Sequence, residues 1–180
     1  MRFVETEIGG VVIVELEEHL DDRGSFARTW CREEMAAAGL ASELAQCSMS
    51  RNPHAGTLRG LHYQRAPHEE AKLVYCTRGA IFDVAVDLRT KSPTHGKWVG
   101  VELDGDGSRA LFIPEGCAHG FQTLVDDTHI AYMISTPHVP EAGQGARWDD
   151  PWFGIEWPSA PRRLLNERDR TWPDYRPTSA

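Results

Sequence analysis

Cysteine is sparse in this sequence and never paired. Cys31, Cys47, Cys76 and Cys117 are scattered along 180 residues with no Cys-x-x-Cys spacing. That argues against a zinc knuckle or a disulfide framework and fits reduced thiols in a cytoplasmic protein. Positive charge is also short, with 19 Lys and Arg against 27 Asp and Glu and a formal net charge of −8. A nucleic-acid partner is therefore not expected, because phosphate backbones call for a basic face. A single nucleotide ligand needs only a few local cations and stays open. No apolar run reaches the roughly 18 residues of a membrane-spanning helix. Acids interrupt the first seven residues, where a signal peptide needs unbroken apolar sequence. No Gly-x-Gly-x-x-Gly follows the first strand, so chemistry through a bound nicotinamide is not expected.

Of the residues present, 41% are hydrophobic, enough for one sizeable core in a single domain spanning 1–180. The dominant pattern is short β segments between turn residues. Residues 11–16 read as a strand, 21–24 as a turn, and 32–40 as the one convincing helix of the first half. Residues 72–76 and 80–88 flank Thr77-Arg78-Gly79, which reads as a hairpin turn. Residues 97–103 and 109–114 flank a second hairpin at 104–108, and 120–124 and 129–135 flank Val125-Asp126-Asp127-Thr128. Phe82, Val84, Val86 and Leu88 alternate with Asp83, Ala85 and Asp87, so one face is apolar and the other small or acidic. The expected fold class is all-β, a sandwich or barrel with a polar-lined mouth that binds a ligand. The core lies at about 45–158, and the tail from Pro158 wraps onto it as a loop or short helix.

Several segments then read together: Asp22-Arg23-Gly24-Ser25-Phe26, Leu58-Arg59-Gly60-Leu61-His62-Tyr63-Gln64, Lys72-Leu73-Val74, the segment 82–89, Ser92-Pro93-Thr94, the segment 113–121, and Ile155-Glu156-Trp157-Pro158. In this order and spacing the chain resembles the dTDP-4-dehydrorhamnose 3,5-epimerase family from about residue 3 to about 170. The resemblance implies a cupin-type jelly roll with short peripheral helices. It implies a homodimer with swapped N-terminal strands, and neither a metal nor another cofactor. It further implies an isomerase that epimerises a dTDP-linked 4-keto-6-deoxyhexose at C3 and C5.

That reaction needs a base beside the ketone, a cation for the enolate and an acid on the other face. His62 is the natural base, because its intrinsic pKa lies near neutrality. The resemblance makes Asp169 its orienting carboxylate, Lys72 the cation and Tyr132 the acid. It assigns ligand contacts to Arg23, Phe26, Gln46, Ser48, Arg59, His119 and His138, with Arg23 reaching in from the partner subunit. Among the core acids, Asp83 is the one expected to line the cavity and touch His119 or His62, while Asp87 reads as structural.

Four positions depart from the family's pattern. Ser48 replaces an amide in Gln46-Cys47-Ser48-Met49-Ser50, Arg28 stands where an acid is usual, His138 where an aromatic is usual, and Gly143 where a glutamate is expected. These changes leave His62, Lys72 and Tyr132 in place. They open two alternatives, an epimerase acting at C3 or C5 alone and a non-catalytic cupin that binds a sugar nucleotide. A metal-dependent cupin would have to assemble His68 or Glu69 with His62 and His119, since no His-x-His motif is present.

Overall fold

The computed structural model describes residues 1–105 and 108–177. Its strands are β1 (Arg2–Glu5), β2 (Val12–Glu15), β3 (Glu18–Asp21), β4 (Gly24–Ala27), β5 (Gln46–Asn52), β6 (Leu58–Gln64), β7 (Lys72–Arg78), β8 (Ala80–Asp87), β9 (Trp98–Asp104), β10 (Arg109–Ile113), β11 (Cys117–Thr123), β12 (Thr128–Ile134) and β13 (Gly143–Gly145). The helices are α1 (Arg32–Ala37) and α2 (Glu167–Thr171), with a 3-10 turn at Pro140–Ala142. Among the described residues, no helix is long and apolar enough to cross a membrane.

Two antiparallel sheets face each other as a cupin-type jelly roll. One has the order β1-β2-β10-β7-β12-β5 and the other β13-β6-β11-β8-β9, while β3 and β4 pair apart from both. The period-2 alternation of β7 sets the layers. Val74 and Cys76 point between the sheets with Ile81, Leu103, Leu111, Phe121 and Ile130. Leu73 and Tyr75 point out and pack with Val12, Val14, Phe112 and Met35 of α1. Each large side chain buried this way contributes about 1.5–3 kcal/mol.

The alternation in β8 has the same meaning. Ala85 faces the inter-sheet core, whereas Val84 and Val86 pack outward against Leu61, Ala118, Ala146 and Phe153. Asp83, Ala85 and Asp87 are all fully buried, so the face of small and acidic residues points inward and the apolar face lies beneath the chain's last segment. That segment is docked by a bridge between Thr57 and Leu164, by His95 Nε2 at 2.9 Å from the Tyr175 hydroxyl, and by the Asp150 carboxylate accepting from the Tyr175 N–H at 2.5 Å.

The expected hairpins are not hairpins. β7 and β8, β9 and β10, and β11 and β12 each belong to opposite sheets, so the turns carry the chain across the core. Turn chemistry specifies a reversal, and a crossing between sheets uses the same residues as a turn within one. Gly79, at φ +78°, makes the first crossing with its backbone pressed against Thr128. Asp106 and Gly107 of the second connection lie outside the described residues. Reversals that do stay within a sheet are β1 to β2, β3 to β4 and β8 to β9. Helix α1 ends at Ala37, before the expected Leu40, and Gly39 follows at φ +72°.

Candidate active site

A cavity of about 360 Å³ opens between the sheets. From the five-stranded sheet, β6 contributes Arg59 and His62 and β11 contributes His119. His62 and His119 are register partners on adjacent strands. The two strands approach closely at Gly60, which has φ +138° and where any Cβ would lie 2.5 Å from the Gly120 Cα. Only glycine fits that position, and it sets the level at which His62 enters the cavity.

His62 Nε2 lies 2.7 Å from Asp169 Oδ1. Asp169 is 1% exposed and sits in the first turn of α2, where the Asn166 side chain accepts from the Asp169 N–H at 2.7 Å and caps the helix. The Gly60 N–H donates to the other carboxylate oxygen at 3.3 Å. Burial pushes the Asp169 carboxyl up, but the bond and charge of His62, the Gly60 N–H and the Arg168 charge outweigh it and hold the group below the usual aspartate range. Asp169 is therefore ionised at neutral pH and can only accept. Nε2 then carries the imidazole proton, and Nδ1 holds the lone pair that a base needs.

The six-stranded sheet supplies the facing wall. Lys72, at the start of β7, is buried with its Nζ 2.8 Å from Glu70 Oε1. Tyr132, on β12, borders the cavity with its ring edge-on to His119 at 6.0 Å between centroids. Burial, reinforced by the negative charge of Asp83 and opposed by Arg59 and Ser50, raises the Tyr132 phenol well above its ordinary value. It stays protonated and can act as a donor. His119 Nε2 bonds Asp83 Oδ1 at 2.7 Å, both residues being buried.

The remaining sequence-expected contacts divide. Gln46, Ser48, Arg59 and His138 line the cavity. Gln46 Oε1 accepts from the His138 N–H at 3.0 Å, Ser48 is the register partner of Tyr132, and Arg59 Nε donates to Asn52 Oδ1 at 3.0 Å. Arg23 and Phe26 do not reach the cavity of their own chain. Arg23 is paired with Asp21 at 2.5 Å in the turn between β3 and β4, and Phe26 is 71% exposed. Of the four departures, Ser48, His138 and Gly143 border the cavity, whereas Arg28 is paired with Glu34 at 2.8 Å. Sequence reasoning missed Glu70, Gln144 and Arg168, which also line it. Glu70 had a signal, since it lies two residues before Lys72 and so on the same face of an extended chain. Among the described residues, no three His, Cys, Asp or Glu side chains come together in a group that could hold a metal ion, so the pairing of His68 or Glu69 with His62 and His119 has no geometry behind it.

The structure is thus a cupin-type jelly roll whose cavity has a hydrogen-bonded histidine–carboxylate pair on one side and a lysine and a protonated tyrosine on the other, a set of groups suited to acid–base chemistry. A family model described as dTDP-4-dehydrorhamnose 3,5-epimerase matches residues 5–176, and the chain belongs to that family. The chain is similar to the dTDP-4-dehydrorhamnose 3,5-epimerase of Sinorhizobium fredii, 42% identical over 177 residues, covering 96% of this chain and 89% of the other. It is similar to the crystal structure of the Bacillus anthracis epimerase of the same name with TDP and PPi bound, at TM-score 0.92 and 35% identity, covering 97% of this chain and 99% of that one. It also resembles a 3'-monoepimerase from Streptomyces bikiniensis in complex with dTDP-quinovose, at TM-score 0.89 and 33% identity, covering 95% of this chain and 86% of that one.

Proposed function

We propose that this enzyme epimerises a dTDP-linked 4-keto-6-deoxyhexose at C3 and C5 without a cofactor. The observation that carries the reading is the placement of His62, hydrogen-bonded to Asp169 of α2, on one sheet and of Lys72 and Tyr132 on the other, with these three side chains bordering one cavity. His62 removes the proton from the carbon beside the C4 ketone. The Lys72 ammonium stabilises the enolate oxygen, and Tyr132 returns a proton to the opposite face. Arg59, Gln46, His119 and His138 hold the diphosphate and sugar, with Arg59 offering the forked donor that suits a phosphate.

A single-site epimerase is the second reading. It is favoured by Ser48, His138 and Gly143, the three departures at the cavity, and by the likeness to the 3'-monoepimerase. Proton NMR of dTDP-4-keto-6-deoxyglucose with the enzyme in D2O separates the two. Deuterium at both C3 and C5 supports the first reading and deuterium at one carbon the second, whereas a silent spectrum rejects both and leaves a sugar-nucleotide-binding protein.

The working form is a homodimer. β1 and β2 pair within their own chain, so the swapped element is the β3–β4 hairpin, which carries Leu20 at 78% and Phe26 at 71% exposure. It delivers Arg23 and Phe26 to the partner's cavity. The enzyme resides in the cytoplasm, a reading supported by its four free thiols.

A further inference from the structure

The Lys72 ammonium does not stand alone in the cavity wall. Its Nζ is 2.8 Å from Glu70 Oε1, and both side chains are about 10% exposed. Among the described residues, Glu70 is the one carboxylate within ion-pair distance of Lys72. Its neighbours within the sheet are apolar. On the same sheet face its register partners are Ile113 on β10 and Ile134 on β12, and Val74 follows it on the inner face of β7.

Glu70 is itself held on both sides. The Ala71 N–H donates to Ser135 Oγ at 2.8 Å, and the Ser135 N–H donates to the Ala71 carbonyl at 3.0 Å. The Glu69 carbonyl accepts from Thr136 Oγ1 at 2.9 Å. These bonds extend the ladder past the start of β7 and keep residue 70 on the same side as residue 72.

We infer that Glu70 is a positioning residue, which fixes the Lys72 ammonium at one point of the cavity and so sets where a developing enolate oxygen is stabilised. The inference rests on Lys72 being the enolate's cation, as proposed above. The physical reason lies in the lysine stem, which is flexible and loses rotamer entropy when its ammonium is fixed. A donor that has to be ordered during the reaction stabilises charge less than one ordered beforehand. An ammonium has three donors. Glu70 takes one, and two are left to meet the ketone oxygen.

The test is a double-mutant cycle on the full-length enzyme, with Glu70→Gln, Glu70→Asp, Lys72→Met and Glu70→Gln/Lys72→Met. It reads kcat, KM and the rate of deuterium uptake from D2O, and thermal unfolding and dTDP binding are checked for each variant. Glu70→Gln should lower kcat and deuterium uptake about tenfold with KM nearly unchanged, the size expected when a donor is present but loosely held. Glu70→Asp should recover part of the loss. In the Lys72→Met background, Glu70→Gln should cost nothing further. A wild-type kcat in Glu70→Gln, a loss expressed in KM, or an undiminished Glu70 effect without Lys72 would each overturn the positioning role while leaving Lys72 in place. Wild-type deuterium uptake in Lys72→Met would instead remove the lysine's role, and the Glu70 inference with it.

Discussion

His62 Nε2 and Asp169 Oδ1 lie 2.7 Å apart although they are 107 positions apart in the chain, so the pair proposed as the base forms only when the C-terminal segment docks on β6. Asp169→Asn isolates the electrostatic part of that contact, because an amide of equal size fills the same buried site but brings no negative charge and can present the wrong tautomer to the ring. Deuterium uptake from D2O should fall by about a hundredfold or more, as in other histidine–carboxylate pairs, with dTDP affinity within a few-fold of wild type. Uptake within threefold of wild type would remove Asp169 from the mechanism.

Tyr132 is held protonated through the neutral range by burial and by the charge of Asp83. Its proposed task comes after the first proton has left. Tyr132→Phe should therefore depress net epimerisation much more than the initial loss of substrate hydrogen, measured side by side as product formation and deuterium wash-in. Equal loss of both would place Tyr132 elsewhere in the reaction.

The strand pattern and the alternation of β8 were legible in the sequence, and the family resemblance named His62, Lys72 and Tyr132, which border one cavity. Period-2 alternation and the segment motifs both survive into three dimensions. The sheet partners were not legible. Thr77-Arg78-Gly79 looks the same whether β7 and β8 pair or, as here, separate into facing sheets. Glu70 escaped notice because its meaning depends on the Ser135 and Thr136 contacts that hold its neighbours, 64 and 67 residues away. Arg23 and Phe26 were recognisable as contact residues only through the family, and a single chain leaves them on an exposed hairpin.

Acid stability should report on Asp87, which is fully buried. Burial pushes its carboxyl up, but bonds from Arg89, Ser92, Thr94 and the Arg89 N–H outweigh that and hold it well below the usual aspartate range. The folded state therefore binds fewer protons than the unfolded state in acid. The resulting stability is complete above the ordinary aspartate pKa of about 4 and is lost as pH falls below it. Asp87→Asn should melt several degrees lower than wild type at pH 7, and the gap should narrow as the pH drops below about 4. A gap that stays constant from pH 7 to pH 3 in calorimetry would contradict the assignment.

The exposed β3–β4 hairpin carries the dimer proposal. Sedimentation equilibrium should give twice the 20.2 kDa chain mass, and Arg23→Ala should raise KM severalfold with kcat little changed, since Arg23 would bind substrate in the partner's cavity. A monomeric mass with full activity would refute the exchange of this element.

Whether His62 takes the proton beside the ketone is decided by deuterium uptake into dTDP-4-keto-6-deoxyglucose in D2O, followed by proton NMR for wild type and His62→Ala. The wild type should take up deuterium at C3 and C5, and His62→Ala should show none above the uncatalysed rate, with dTDP binding largely retained. Uptake by His62→Ala at the wild-type rate would contradict the role of His62 as the base.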